Sequence, residues 1–303
     1  MIRIDHILCP IDRSEISRLA LDHARVLAAW YDASLSVMEV IWPGMPPIAI
    51  PTLAAAEAGW PLLAPEERAE YQKNLELFCG PAPDDVVEQI EVAEGPIVDV
   101  IQKRAAREAA QLIVMGTHGR GGFQRAILGS TTEKVMRKAT CPVLVVPPYL
   151  SENGYRPALP YKQILCAIDF SPVSTSALAY AQSLAQESAA TLVLTHVLEW
   201  PGAQQAASDS SLAAGALAES MRRGAEEQLH RSVPDTVRAW CQTREIVPIG
   251  KPHLEIVKLA ASKHADLIVI GVHSRPAIVA PFFGSTANQV VRHATCPVLI
   301  VRP

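Results

Sequence analysis

Short apolar segments rich in β-branched residues alternate along this chain with longer segments in which apolar residues recur at helical spacing. In the first half, the apolar segments predict strands over residues 4–11, 34–41, 86–92, 112–115 and 143–146. The intervening segments predict helices over residues 14–30, 66–78, 97–109 and 132–139. This alternation predicts an α/β fold, in which right-handed crossovers make a parallel sheet doubly wound and covered on both faces.

The second half of the chain repeats the first. Three segments recur in the same order at offsets of 155 to 157 residues: 7–14 at 164–171, 111–118 at 266–273, and 139–146 at 294–301. A single long-period duplication excludes a solenoid of short repeats. We therefore predict two tandem domains over residues 1–148 and 161–303, joined by a proline-rich linker at 149–160.

A glycine-rich segment follows the fourth predicted strand and leads into the next predicted helix. It contains Gly116, Gly119 and Gly129, and it ends in Ser130 and Thr131. Glycines let the backbone approach a ligand closely, and the positive end of a helix dipole attracts an anion. The arrangement of strand, glycine loop and helix start therefore predicts a phosphate site, although many glycine loops only turn the chain.

The combination of three motifs resembles the universal stress protein family. These are the G-x2-G-x9-G-S pattern at 116–130, the Ile-Asp-x-Ser pattern at 11–14, and Ala-Thr-Cys-Pro-Val-Leu-Val-Val at 139–146. The resemblance covers both halves and implies a tandem universal stress protein with two Rossmann-like, five-stranded parallel sheets. It also implies that the first domain is of the ATP-binding type, because that branch of the family carries this glycine motif.

The resemblance assigns roles to residues of the first half. It implies that the phosphates lie against Gly116, Gly119, Gly129, Ser130 and Thr131. It further implies that Asp12 contacts the ribose hydroxyls and that Pro10 and Val40 lie around the adenine, with Ser14 completing the early motif. An aspartate at a strand end suits ribose, because acidic residues in dinucleotide folds accept bonds from ribose hydroxyls. The alternative is that Asp12 only caps the first helix or its turn.

Three charged or titratable residues of the loop remain ambiguous. Arg120 and Arg125 are positioned in sequence to neutralise phosphate charge, but loop arginines are also commonly solvated. His118 recurs as His273 and has no partner at metal-ligand spacing, so we favour a structural role for it.

The second half departs from the glycine pattern. It keeps the positions of a second nucleotide site at Asp169, Val197, Gly271, Gly284, Ser285 and Thr286. However, Ser274 replaces the middle glycine, and Pro276 and Pro281 remove two backbone donors. We therefore expect this second site to be weaker, altered or empty.

Net charge, hydrophobic segments and cysteine spacing argue against several classes of function. A net charge of −4 and a pI of about 6.1 give no sign of general nucleic-acid binding. No signal peptide or membrane-spanning segment is visible, so we predict a cytoplasmic location. The six cysteines show no Cys-x-x-Cys or zinc spacing, which favours small buried thiols over disulfides or metal ligands.

Three functions remain open from the sequence. The preferred one is an ATP-binding regulatory stress-response protein, which signals to an unidentified protein partner. The alternatives are a slow ATP hydrolase or phosphotransferase, and a scaffold whose second half holds an apolar ligand or none. ADP or AMP can replace ATP in the first reading, and Mg²⁺ is a further candidate cofactor. Family resemblance implies that the halves pack as a pseudo-dimer through 143–146 and 298–301, and we expect a homo-oligomer, with a dimer as the simplest form.

Overall fold

The computed structural model describes residues 2–42, 63–117, 128–148, 157, 159–199, 212–272 and 285–302. The strands of the first half are β1 (His6–Ile11), β2 (Ser34–Ile41), β3 (Glu88–Glu94), β4 (Leu112–Gly116) and β5 (Val143–Val146). Those of the second half are β6 (Gln163–Ala167), β7 (Thr191–Thr195), β8 (Thr243–Ile246), β9 (Leu267–Gly271) and β10 (Val298–Val301).

Helices follow the strands in both halves. The described residues form α1 (Glu15–Tyr31), α2 (Pro65–Cys79), α3 (Ile97–Arg107), α4 (Ser130–Lys138), α5 (Pro172–Ser188), α6 (Leu212–Ser232), α7 (Asp235–Arg238), α8 (Pro252–Ser262) and α9 (Ser285–His293). None of these helices combines the length and the apolar character needed to cross a membrane.

All ten strands of the described residues form one sheet in the order β3-β2-β1-β4-β5-β10-β9-β6-β7-β8. Neighbouring strands are parallel within each half. The strand order reverses at β1 in the first half and at β6 in the second, as a doubly wound fold requires. The predicted α/β fold with two Rossmann-like, five-stranded parallel sheets is therefore confirmed.

Strand β3 lies two residues further along the chain than the hydrophobic pattern predicted. Ala93 and Glu94 continue the ladder with β2, where they pair with Val40 and Ile41. Backbone pairing with the neighbouring strand thus extends β3 into residues whose side chains gave no strand signal.

The two half-sheets meet at β5 and β10, which are antiparallel. Leu144 lies opposite Leu299 in this pairing, so neither strand is left as an open edge. The predicted packing of the halves through their last strands is confirmed.

Hydrogen bonds outside the sheet also join the two halves. Tyr31 Oη donates a hydrogen bond of 2.8 Å to Glu187 Oε2, and burial together with this bond raises the pKa of Tyr31. The backbone N–H of Ile2 also crosses between the halves, donating to Ser183 Oγ at 2.7 Å.

The hydrophobic core lies on both faces of the sheet and runs through both halves. Successive strand residues alternate between the faces, so that Ile7 packs in one cluster together with Ile164, while Leu8 packs in the other with Leu165. Small residues line the helices that cover the first of these clusters. Fully buried alanines at helical spacing lie in α1 and α5, which brings both helices close to the sheet: Ala20, Ala24, Ala28, Ala177, Ala181 and Ala185.

The last residues of β4 and β9 are glycines because a helix passes directly over them. A Cβ atom on Gly116 would lie 2.6 Å from Cγ2 of Ile16 in α1. A Cβ atom on Gly271 would lie 2.8 Å from the carbonyl oxygen of Val173 and 2.9 Å from the amide nitrogen of Ser174, both in α5. The first contact is with a side chain, whereas the second is with backbone.

We expect Gly271→Ala to destabilise the protein more than Gly116→Ala. Overpacking costs about 1–3 kcal/mol, and a side chain gives way more easily than helix backbone does. Urea unfolding of the two variants beside the wild type measures the difference. A larger loss from Gly116→Ala would mean that the Ile16 contact is the more rigid one.

The buried side chain of His23 should make the free energy of unfolding depend on pH. It lies in α1, is 3% exposed, and its Nδ1 is 2.9 Å from the carbonyl oxygen of Leu19. Burial lowers the pKa of His23 to about 4, partly offset by that hydrogen bond. The unfolded chain therefore binds a proton more readily than the folded protein does, so stability falls as the pH drops from the ordinary value near 6.5 towards 4.

Between about pH 7 and pH 4.5 this single group should remove about 2 kcal/mol from the free energy of unfolding. We expect His23→Leu to lack that part of the loss, because leucine fills a similar volume without a proton to bind. Urea unfolding of both proteins across this pH range measures it. All other titratable groups are common to both proteins, so parallel stability curves would show that His23 does not contribute.

Candidate functional site

The carboxyl ends of β1 and β4 meet where the strand order of the first half reverses. Ile7 and Leu8 of β1 pair with Leu112 and Ile113 of β4, so the same register brings the two strands to an end side by side. Ligands of open α/β sheets bind outside the strand ends at this kind of reversal. We refer to this region, beyond the ends of β1 and β4, as the first-half site.

Asp12 and Ser14 form the turn between β1 and α1. Asp12 Oδ1 accepts a hydrogen bond of 3.1 Å from the backbone N–H of Ser14, and Ser14 Oγ caps α1 by accepting one of 3.2 Å from Ser17 N. Arg13, between them, has a φ of 61°, in the left-handed region. Asp12 therefore does stabilise the turn, as the capping alternative supposes. A carboxylate accepts several hydrogen bonds, so this contact is compatible with a second role.

The start of α4 is fastened to the end of β4. Gly129 is the N-cap of α4, and its backbone N–H donates to the carbonyl oxygen of Thr117 at 2.8 Å. Thr132 Oγ1 donates to the carbonyl oxygen of Gly116, also at 2.8 Å. These bonds hold Ser130 and Thr131, the first two residues of α4, beside the end of the strand.

The remaining residues assigned to the first-half site lie around this centre or outside the described residues. Pro10 is buried in β1, and Val40 is half-buried in β2. Gly119 and Arg120 lie outside the described residues, as do the other loop residues discussed above: His118, Arg125, His273, Ser274, Pro276 and Pro281.

An ion pair beside the first-half site escaped sequence reasoning. Arg13 Nε donates to Glu39 Oε1 at 2.9 Å, and its guanidinium carbon lies 5.6 Å from the centre of the Tyr71 ring. Glu39 is 5% exposed, so the arginine compensates a buried charge. The two partners are far apart in sequence, and only the pairing of β1 with β2 brings them together.

The second half repeats the turn with different side chains. Asp169 Oδ1 accepts a bond of 3.0 Å from the backbone N–H of Ser171, which caps α5. Phe170 takes the place of Arg13 and has the same φ of 61°. Its ring centre lies 4.6 Å from that of His196, the residue that corresponds to Glu39. An aromatic pair thus replaces the ion pair.

A large cavity opens beyond the ends of β6 and β9. Its volume is about 770 Å³, within the range of about 300–1,000 Å³ typical of small-molecule sites. We call it the second-half cleft. Five of the residues predicted for a second nucleotide site line it: Asp169, Val197, Gly271, Ser285 and Thr286. The sixth, Gly284, lies outside the described residues. That this site is weaker, altered or empty stays a prediction.

The cysteine thiols and the potential metal ligands of the described residues do not form a further reactive site. All six cysteines are buried free thiols, which confirms the predicted buried thiols. Burial raises the pKa of Cys141 to about 11 and that of Cys166 to about 12, so these thiols do not ionise readily. Within the described ranges, no three histidine, cysteine, aspartate or glutamate side chains are grouped so as to hold a metal ion.

The relatives found by comparison with known proteins are universal stress proteins. A universal stress protein of Mycobacterium tuberculosis is 31% identical over 205 residues, which make up 64% of this chain and 62% of that relative. The match therefore spans less than two thirds of the relative's length. A universal stress protein of Mycolicibacterium smegmatis is 27% identical over 310 residues, covering 98% of this chain and 97% of the relative.

The crystal structure of a universal stress protein from Archaeoglobus fulgidus has the same fold, with a TM-score of 0.65, 21% sequence identity and 99% of each chain covered. A model of the universal stress protein family matches residues 3–147 and again residues 160–302. Because both matches together span nearly the whole chain, this protein belongs to the universal stress protein family and carries two of its domains in tandem.

Proposed function

We propose that this protein is an ATP-binding regulator of the stress response and that ATP is held mainly in its first half. One observation carries the proposal: Asp12, Gly116 and the start of α4 converge at the strand-order reversal of the first half. An acidic side chain, a strand end without a side chain and a helix N-terminus are three parts that nucleotide sites of this fold class commonly use.

Each part matches one portion of a nucleotide. The carboxylate of Asp12 suits the ribose hydroxyls, and Pro10 and Val40 suit the adenine. The first N–H groups of α4 have no partner within the helix, and they carry the positive end of its dipole. The hydroxyls of Ser130 and Thr131 add donors beside them. Gly119 and Arg120 complete the phosphate part of the proposal from the sequence alone.

The proposed role is regulation rather than catalysis. No Walker A motif, nucleophile elbow or His-Glu-x-x-His motif occurs in the sequence. In this proposal, the state of the bound nucleotide alters assembly or conformation, and a protein partner reads the change. The protein acts as a cytoplasmic homo-oligomer, with ADP or AMP as alternative nucleotides and Mg²⁺ bridging phosphates where they are bound.

The variant Asp12→Asn tests the proposed site. Asparagine retains an oxygen that accepts the hydrogen bond from Ser14 N, so the turn is preserved, but it removes the charge. We expect ATP to bind roughly 10-fold to 100-fold more weakly, because hydrogen bonds to a charged group contribute about 1.5–3 kcal/mol. The measurement is calorimetric titration of ATP into the full chain, repeated with ADP, AMP and added Mg²⁺.

Asp169→Asn is the matched control, because it makes the same change in the second half. It should leave ATP affinity within about twofold of the wild type. Equal losses from the two variants would mean that ATP is not held mainly in the first half. A wild-type chain that binds no nucleotide in the titration would end the proposal. Phosphate release in the same samples would identify a hydrolase instead.

A further inference from the structure

The outer edge of β3 is covered by side chains of α2. β3 and β8 are the edge strands of the ten-stranded sheet, and alternate residues of an edge strand turn their backbone N–H and C=O groups outwards. On β3, Gln72 Nε2 donates to the carbonyl oxygen of Ile90 at 2.9 Å, and Gln72 Oε1 accepts from the N–H of Val92 at 3.0 Å. Arg68 Nη2 donates to the carbonyl oxygen of Val92 at 3.2 Å. Another strand could therefore pair with this edge only by displacing α2 side chains.

The outer edge of β8 has no such cover in the part of the chain that the structure describes. The N–H of Leu192 in β7 bonds to the carbonyl oxygen of Gln242, so even-numbered residues of β8 face β7 and odd-numbered ones face outwards. No described group pairs with the outward backbone groups of Thr243 and Glu245. The chain stays beside β7 as far as Ile249, which bridges to Leu198. The open edge therefore runs over residues 243–249.

The difference between the two edges follows from one residue of the covering helix. Leu75 of α2 and Leu229 of α6 are both fully buried in the same core cluster, which matches Gln72 with Glu226, three residues before each leucine. A carboxylate accepts hydrogen bonds but cannot donate one to a carbonyl oxygen, so it cannot bridge the edge as the amide of Gln72 does. Glu226 is instead paired with Arg222 of its own helix, and a groove of about 400 Å³ lies between α6 and β8.

β8 also lacks three of the charges that lie along β3. The register of the sheet matches the two strands residue by residue. Three glutamates occur along β3: Glu88, Glu91 and Glu94. Their counterparts are Thr243, Ile246 and Ile249, and Ile249 is 41% exposed. Because charged side chains are one device that keeps edge strands from pairing, β8 is the edge that is available to another strand.

We propose that β8 pairs with β8 of a second copy of this chain, antiparallel, with Ile246 opposite its own copy. The chain already contains one pairing of this kind. β5 and β10 are the same strand of the two repeats, and Leu144 lies opposite its equivalent, Leu299. The inference identifies the surface of the homo-oligomer in the proposed function, and it rests on that function only for the expectation of a second copy.

Charge selects the register of this pairing. A two-fold axis perpendicular to the sheet keeps every side chain on its own face, so the pairing of a strand with its copy can be centred on a single residue. Centring it on Arg244 or on Glu245 would place two like charges directly opposite each other, which is destabilising. Centring it on Ile246 places Arg244 opposite Pro248 and Glu245 opposite Val247. This register uses the whole open edge and opposes no like charges.

Sedimentation equilibrium of the full chain without nucleotide tests the pairing. The wild type should have twice the mass of one chain, which is 32.7 kDa. Ile246→Glu places two carboxylates opposite each other and should raise the dissociation constant of the dimer at least about tenfold. Ile90→Glu is the matched control, because it makes the same change at a half-buried isoleucine of the other edge. It should leave the dimer unchanged, and urea unfolding checks that both variants fold.

A disulfide cross-link tests the register without weakening the dimer. In the proposed pairing the two copies of residue 246 form a non-hydrogen-bonded pair with Cα atoms about 4.5 Å apart, within the range that a disulfide spans. Ile246→Cys should therefore give a covalent dimer with oxidised glutathione, which takes up two electrons and two protons and leaves as two thiols. Glu91→Cys, at the matching position of β3, should stay a single chain. The wild type should do the same, because its six cysteines are buried.

Failure of this inference is distinguishable from failure of the ATP proposal. A monomeric wild type, a dimer that Ile246→Glu weakens no more than Ile90→Glu does, or no cross-link through Ile246→Cys overturns the inference. None of these results bears on the binding of ATP to the first-half site. A chain that dimerises through β8 but binds no ATP in the titration would end the ATP proposal alone.

Discussion

The backbone hydrogen bonds between β5 and β10 are the constraint on which the rest of the structure depends. They turn two five-stranded parallel sheets into one sheet of ten strands, and they remove an open edge from each half. Because this one pairing is antiparallel, the carboxyl ends of the strands in the two halves point in opposite directions. The first-half site and the second-half cleft therefore open at opposite edges of a single sheet. The core passes uninterrupted beneath both.

The two halves keep one backbone design and vary the chemistry on it. The turn after the first strand of each half has a residue in the left-handed region at the same position and is followed by a serine cap, and a glycine ends the central strand where a helix passes over it. On this frame, Arg13 and Glu39 correspond to Phe170 and His196. The frame is fixed by sterics and capping bonds, so side chains facing the strand ends can change without altering the fold.

More of the fold than of the candidate site can be predicted from the sequence. Alternating hydrophobic segments and the internal repeat predict the strands. The glycines at 116 and 271 are visible in the sequence, but only the structure shows that a helix passes over each of them. By contrast, the Arg13–Glu39 pair depends on which strands are neighbours and in what register. The polar contacts of the site thus require pairing information that local sequence patterns do not contain.

The antiparallel junction also determines where the two halves are connected. Strand β5 ends and β6 begins at the same edge of the sheet, with only β10 and β9 between them. At about 4.8 Å per strand, that is a step of about 14 Å. Gene duplication could therefore join the copies with a modest connector. Both ends of this connector lie on the side of the first-half site, so a reporter protein fused there would crowd that side of the sheet and leave the second-half cleft open.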